Sequence, residues 1–217
     1  MFTDITSWLP HFLFIIQGTI VTLEYSIIAV FFGLIIGTIL AICKVVDKKA
    51  IRVFAIFYTS IFRGTPLLIQ LSIIYWGLPG ILGIKLNVFV AGIIAFSLNS
   101  GAYVSEIIRA GINAVDKGQF EAAKALGIPP ILRIKDIILP QAIRKILPSL
   151  INELINLIKE SALISIIGGM DLMRRAQIVS AETYSYFAPM IIAALTYYSL
   201  VMVVSFIARI LEKRLAL

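Results

Sequence analysis

Apolar residues gather into five long blocks, each separated by a short polar stretch. A membrane-spanning helix needs about 20 mostly apolar residues, and the blocks at residues 12–42, 53–78, 88–108, 146–167 and 188–211 meet that length. The first block is long enough to tilt or to extend past a bilayer. The second is interrupted by Arg63-Gly64-Thr65-Pro66. Proline removes a helical N–H and clashes with the preceding turn, so a kink or break is predicted there. No segment of about ten residues alternates apolar and polar positions in the manner of a membrane β-strand, which leaves helices as the spanning element. The pattern predicts an all-α integral membrane protein with five transmembrane helices in one transmembrane domain over residues 1–217.

Composition agrees. Hydrophobic residues make up 60% of the 217, against about 45–50% in soluble domains, and the mean hydropathy is +1.00. The start, MFTDITSWLP, carries no Lys or Arg and so lacks the basic start of a signal peptide. A single cysteine, Cys43, excludes an internal disulfide framework. The net charge of +7 gains its meaning from its placement. With the N-terminus outside, fourteen of the nineteen basic residues fall in cytoplasmic segments, seven of them between Arg109 and Lys145. This bias predicts an external N-terminus and a cytoplasmic C-terminus. It also accounts for the positive charge through the cytoplasmic surface and anionic lipid heads, without nucleic acid. No G-x-x-x-x-G-K-[ST] loop is present, so nucleotide hydrolysis by that route is excluded. There is no internal repeat, and a pathway built on symmetry would need a second copy of the subunit.

The longest cytoplasmic segment holds a short helix. Asp116 is a fair N-cap, and Gly127 followed by Pro129 is a strong stop. Phe120, Ala123 and Leu126 are expected on one side of it. A helix of about ten residues is not stable alone in water, so it must be buried on a membrane surface or against a partner. The spacing Glu121-Ala122-Ala123, three residues, Gly127, nine residues, Ile137, one residue, Leu139-Pro140 resembles the EAA motif of ABC importer permeases at every named position. Ala102-Tyr103, Glu106-Ile107, Arg109, Gly111-Ile112, Ala114-Val115 and Gly118-Gln119 resemble the polar amino acid branch of that family. So do Arg63-Gly64-Thr65-Pro66 and Asn152, Asn156, Lys159, Ser161 and Leu163. Glu160-Ser161-Ala162 stands where Asp-Thr-Ser is common. The likeness covers nearly the whole chain. It implies that residues 113–140 form a coupling segment between the third and fourth spans, with Glu121, Ala122, Ala123, Leu126 and Gly127 docking into an ATPase subunit.

Polar groups fall near one depth. Glu24 lies twelve residues into the first block, Arg63 ten into the second, Asn99 eleven into the third and Asn156 ten into the fourth, with Glu153 at seven. At about 1.5 Å per residue these positions sit close to the middle of a ~30 Å core. Charged groups there are expensive and belong in a bundle interior or a wet cavity. Ser149, Glu153, Asn156 and Glu160 are spaced 4, 3 and 4 and share one stripe. An amino acid zwitterion needs a donor for its carboxylate, which Arg63 beside Gly64 and Thr65 can supply, and acceptors for its ammonium, which Glu153 and Asn156 can supply. Glu24 and Arg63 suit an internal ion pair as well as ligand contact, and Asn99 suits an interhelical hydrogen bond as well as a ligand group. Lys159 and Glu160, nearer the outside, suit a structural pair or a gate.

The leading expectation is the permease subunit of an ATP-driven ABC importer of polar, cationic amino acids. It would be multi-pass in a bacterial or archaeal cell (inner) membrane. A glutamine or glutamate importer is the first alternative, and an ion-coupled carrier using Glu24, Glu153 and Glu160 is a second. A scaffold with no pathway is a third, but neither carrier nor scaffold explains the EAA spacing. The resemblance implies two cytosolic ATPase subunits per transporter, a second permease copy or close relative, and an extracytoplasmic amino-acid-binding protein. It implies no catalytic residue, metal or cofactor in this chain.

Overall fold

The computed structural model describes residues 5–214, which are helical throughout apart from short connections. Helix α1 is Ile5–Val45 and α2 is Lys49–Gly64. Helix α3, Leu67–Leu82, includes a wider π turn at Ile73–Gly77. Helix α4 is Val88–Asn113, and α5 is the short Lys117–Ala125. Residues 130–160 form α6, which opens at Pro130–Leu132, widens into a π turn at Arg133–Ile138 and continues as Leu139–Glu160. A tight 3₁₀ stretch, Ser161–Ile167, leads to α7, Leu172–Thr183, and α8, Phe187–Arg214.

Three of these helices are long and apolar enough to cross a membrane: Trp8–Val45, Val88–Asn113 and Phe187–Lys213. The pair Lys49–Gly64 and Leu67–Leu82 qualifies together but bends by 104° at its break. The fourth predicted block differs most from expectation. Its helix starts at residue 130 and ends at Glu160, where the backbone tightens. It also carries Arg144, Lys145, Glu153, Lys159 and Glu160, too many charges for a plain apolar span. The fold is thus all-helical and of membrane type, with three spans by length and composition, or four with the bent pair.

Lipid tails are as apolar as leucine, so helix association in a membrane relies on close packing and small residues. The α1–α4 pair shows this. A Cβ on Gly33 would lie 2.6 Å from Ser100 Oγ, one on Gly37 2.6 Å from Val104 Cγ1, and one on Gly101 2.5 Å from Ile36 Cγ2. Gly33 and Gly37 are therefore close-packing positions within the chain. The matched order 33 with 100, then 37 with 104, makes α1 and α4 parallel. Helix α6 runs antiparallel to α4: Gly111 abuts Ile146 and Gly92 abuts Ile164. Tyr25, Ala29, Leu71, Ala91, Ala95, Phe96, Leu157 and Ile164 fill the central core where α1, α3, α4 and α6 meet.

Two ends of the bundle are tied differently. Near the start of α1, a Gly18 Cβ would meet the Leu172 backbone at 2.6 Å. Arg175 donates there to Phe14 O at 3.1 Å and to Gln17 Oε1 at 3.1 Å. Asp171 caps α7 by accepting from Arg174 N at 2.9 Å, and Tyr197 Oη of α8 donates to Asp171 Oδ2 at 3.1 Å. Tyr197 is thus a half-buried tie, whereas Tyr184, Tyr186 and Tyr198 are exposed. At the other end Lys44, in the last turn of α1, meets Glu106 and Arg109 of α4.

Candidate functional site

The helix break is built from two residues and held by two amides. Thr65 (φ −122°, ψ 145°) and Pro66 (φ −62°, ψ 136°) are extended, which leaves carbonyls at the end of α2 without helical partners. Gln70 Nε2 donates to Phe62 O at 2.9 Å, Thr65 O at 3.0 Å and Thr65 Oγ1 at 2.9 Å. Asn99 Nδ2 donates to Phe62 O at 3.2 Å and to Gln70 Oε1 at 3.0 Å. Tyr58 Oη adds a bond to Leu98 O at 2.8 Å. Arg63, Gly64 and Thr65 are exposed at this break, and no atom lies within 4 Å of a Cβ built on Gly64. Space is open exactly where the backbone is irregular, an arrangement tolerated at membrane depth only where backbone lines a cavity or is buried in protein.

Four of the predicted site residues come together or close to it. Arg63, Gly64 and Thr65 adjoin Asn99, whose amide is engaged in the stitching described above. Arg63 does not pair with Glu24. Its Nη1 lies 4.0 Å from Glu106 Oε2 and its guanidinium carbon 5.5 Å from the Tyr103 ring centroid. Glu24 is exposed on α1 and makes no ion pair among the described residues. Glu106 and Arg109 form a charge cluster with Lys44 and Arg63.

On α6 the predicted stripe divides by exposure. Glu153 is buried at 7% exposure, while Ser149 and Asn156 are exposed. Leu157, one turn after Glu153, and Ile158, on the far side of the helix, are fully buried. Glu153 lies beside Ser100 of α4, and no Lys or Arg stands within ion-pair distance of it among the described residues. Beyond it Asn156, Lys159, Glu160, Ala162 and Leu163 line a cavity of about 360 Å³. Ser100 is one residue from Asn99, so α4 links the α6 wall to the helix break.

The coupling segment folds as predicted at its two ends. Asp116 caps α5 by accepting from Gly118 N at 2.6 Å. At the far end Gly127 has φ +70°, and Ile128 N donates to Ala123 O at 3.1 Å and Gly127 N to Lys124 O at 3.0 Å. This is the left-handed stop that favours glycine. Phe120 packs inward on Val115, Ile138, Ala142 and Ile146, and Ala123 is buried as well. Leu126 does not share that side: it is 78% exposed because the helix has already ended at Ala125. Glu121, Ala122, Leu126 and Gly127 together leave an open surface on α5 and its end.

Several residues that organise the site escaped sequence reasoning. Gln70, an amide four residues after Pro66 in an apolar block, was its clearest signal. Lys44 looked like an ordinary membrane-flanking lysine, and only the parallel α1–α4 packing brings it to Glu106.

Residues 33–217 match the family described as binding-protein-dependent transport system inner membrane component. The chain is 70% identical over 215 residues to the putative glutamine transport system permease protein GlnP of Rickettsia conorii, covering 99% of each. It is 50% identical over 212 residues to the arginine transport system permease protein ArtQ of Bacillus subtilis, covering 98% of this chain and 97% of the relative. Among solved structures it resembles an amino acid ABC transporter with histidines at 43% identity and a TM-score of 0.94, covering 99% of this chain and 100% of that one. A methionine ABC transporter in inward-facing form shares the fold at 20% identity and a TM-score of 0.77. The chain belongs to the family of inner-membrane components of binding-protein-dependent transport systems.

Proposed function

We propose that this chain is the permease subunit of an ATP-driven importer that carries cationic amino acids into the cell by alternating access. It crosses the membrane five times, with its N-terminus outside and its C-terminus in the cytoplasm. The observation that carries the substrate reading is Glu153: a buried carboxylate with no basic partner among the described residues, on a helix that also exposes Asn156. A buried carboxylate lacking a cation is costly, and a cationic substrate side chain supplies the missing charge. The open break at Arg63, Gly64 and Thr65 offers a guanidinium to the substrate carboxylate, and Asn99 and Glu24 complete the set of candidate contacts. The arginine permease of Bacillus subtilis and the solved transporter with histidines support a cationic substrate.

A second reading, glutamine, is favoured by the names of the Rickettsia relatives. In its protonated form Glu153 would serve glutamine as a hydrogen-bonding partner.

The exposed surface around Glu121, Ala122, Leu126 and Gly127 is the dock for a cytosolic ATPase, two ATPases serving two permeases. ATP-driven closure of the ATPases would draw the two α5 helices together and rock the bundles. A binding protein would deliver substrate from outside. No covalent step occurs in this chain. The test is competition: uptake of labelled arginine into vesicles holding the permease, its ATPase and its binding protein, challenged with each unlabelled amino acid. Arginine, lysine and histidine should compete best. Better competition by glutamine would favour the second reading.

A further inference from the structure

Asn99, Tyr103 and Glu106 are spaced 4 and 3 along α4 and so share one face. That face is the seat of the helix break. Asn99 binds the Phe62 carbonyl at 3.2 Å, the Tyr103 ring lies under the Arg63 guanidinium, and Glu106 faces Arg63 from 4.0 Å.

Glu106 is already committed to other cations. Its Oε1 accepts from Lys44 Nζ at 2.6 Å, and its Oε2 accepts from Arg109 Nε at 2.9 Å and Nη2 at 2.7 Å. Lys44 is further fixed by donating to Ser105 Oγ at 2.9 Å, and its side chain is 6% exposed. Three cations therefore share one carboxylate. Arg63 is the third, the most distant, and 46% exposed, with no hydrogen bond to Glu106. Exposed pairs of this kind are weak, and the cation–π contact adds little at an exposed site. Arg63 is held by these two weak contacts, the Glu106 charge and the Tyr103 ring, beside the open break.

We propose that Glu106 is a positioning residue that parks Arg63 between substrates and competes with the substrate carboxylate for it. This rests on the reading that Arg63 meets that carboxylate. When substrate is bound, Arg63 swings to it and Glu106 keeps Lys44 and Arg109. When Arg63 returns to Glu106, the substrate loses its carboxylate partner and leaves. Arg63 thus exchanges between two carboxylates, one fixed and one carried.

Competition makes a prediction that a purely structural role does not. Binding is measured on the permease–ATPase complex in nanodiscs without the binding protein. The probes are labelled arginine and agmatine, which lacks the carboxylate, with glutamine and 4-aminobutanamide as the second pair. Glu106→Gln should tighten arginine several-fold and slow its release, leave agmatine unchanged, and have no effect in an Arg63→Gln background. If Glu106→Gln does not assemble, Tyr103→Leu removes the ring beneath Arg63 and should shift binding the same way. Should Arg63→Gln weaken arginine or glutamine while Glu106→Gln tightens neither, or tightens the carboxylate-free probes equally, the parking role is overturned and the Arg63 contact stands. Arg63→Gln with unchanged binding of both amino acids removes the contact itself, and the parking role with it.

Discussion

The Asn99 amide donates to Gln70 Oε1 across 3.0 Å, joining α4 to the helix that restarts after the break. Gln70 then turns its own amide into the break and donates to Phe62 O and Thr65 O. One side-chain pair therefore satisfies two carbonyls at the break, those of Phe62 and Thr65. The open geometry at Gly64 persists because this pair sets it.

Removing either amide leaves buried acceptors unmet. Loss of such a partner costs about 1–3 kcal/mol. Asn99→Ala should lower the melting temperature in detergent and reduce substrate-stimulated ATPase activity. Asn99→Asp, which cannot donate in its charged form, should resemble it. Asn99→Ala with unchanged melting and activity would mean that the pair does not set the break.

Gly18 and Gly64 make a matched steric test. A Gly18 Cβ would strike the Leu172 backbone at 2.6 Å, which cannot swing aside, whereas a Gly64 Cβ meets nothing within 4 Å. Overpacking costs about 1–3 kcal/mol, so Gly18→Ala should loosen α7 from α1 and lower the yield of folded protein. Gly64→Ala should leave folding intact. Equal melting curves for the two variants would contradict the α1–α7 contact.

The surface proposed to dock the ATPase separates two kinds of failure. Leu126 is exposed and Gly127 holds a left-handed turn. Leu126→Asp should fold normally and fail to bind the ATPase in a pull-down from detergent. Gly127→Val places a β-branched residue in a conformation costing roughly 1–2 kcal/mol, so it should distort the surface, leave the protein in the membrane and uncouple ATP hydrolysis from uptake. Substrate-stimulated hydrolysis that survives in Gly127→Val would count against the turn as part of the dock.

Much of this was legible in the sequence because strong local rules apply. Proline after Arg63-Gly64-Thr65 predicted the break, and Asp116 and Gly127 bounded α5, since capping and left-handed turns are local chemistry. The length of the charged helix was less legible, because its start at residue 130 passes through a π turn that apolar counting does not see. Partner choice for Arg63 was misread. Counting in from the block ends placed Glu24 level with it, but the register of 33 with 100 and 37 with 104 sets Glu24 level with about residue 91 of α4, roughly 12 Å short of Asn99 and the break at about 1.5 Å per residue, and the packing of α2 on α4 brings Glu106 into reach instead. Leu126 was grouped on one side with Phe120 and Ala123 because the helix was extended one residue too far.

The most direct test of the account is ATPase activity of the reconstituted importer across amino acids, for the native chain and Glu153→Gln. The account predicts that arginine, lysine and histidine stimulate the native transporter more than glutamine, and that Glu153→Gln removes this preference while ATPase binding is kept. Glutamine stimulating the native transporter as well as arginine, or a variant that keeps the full cationic preference, would contradict it.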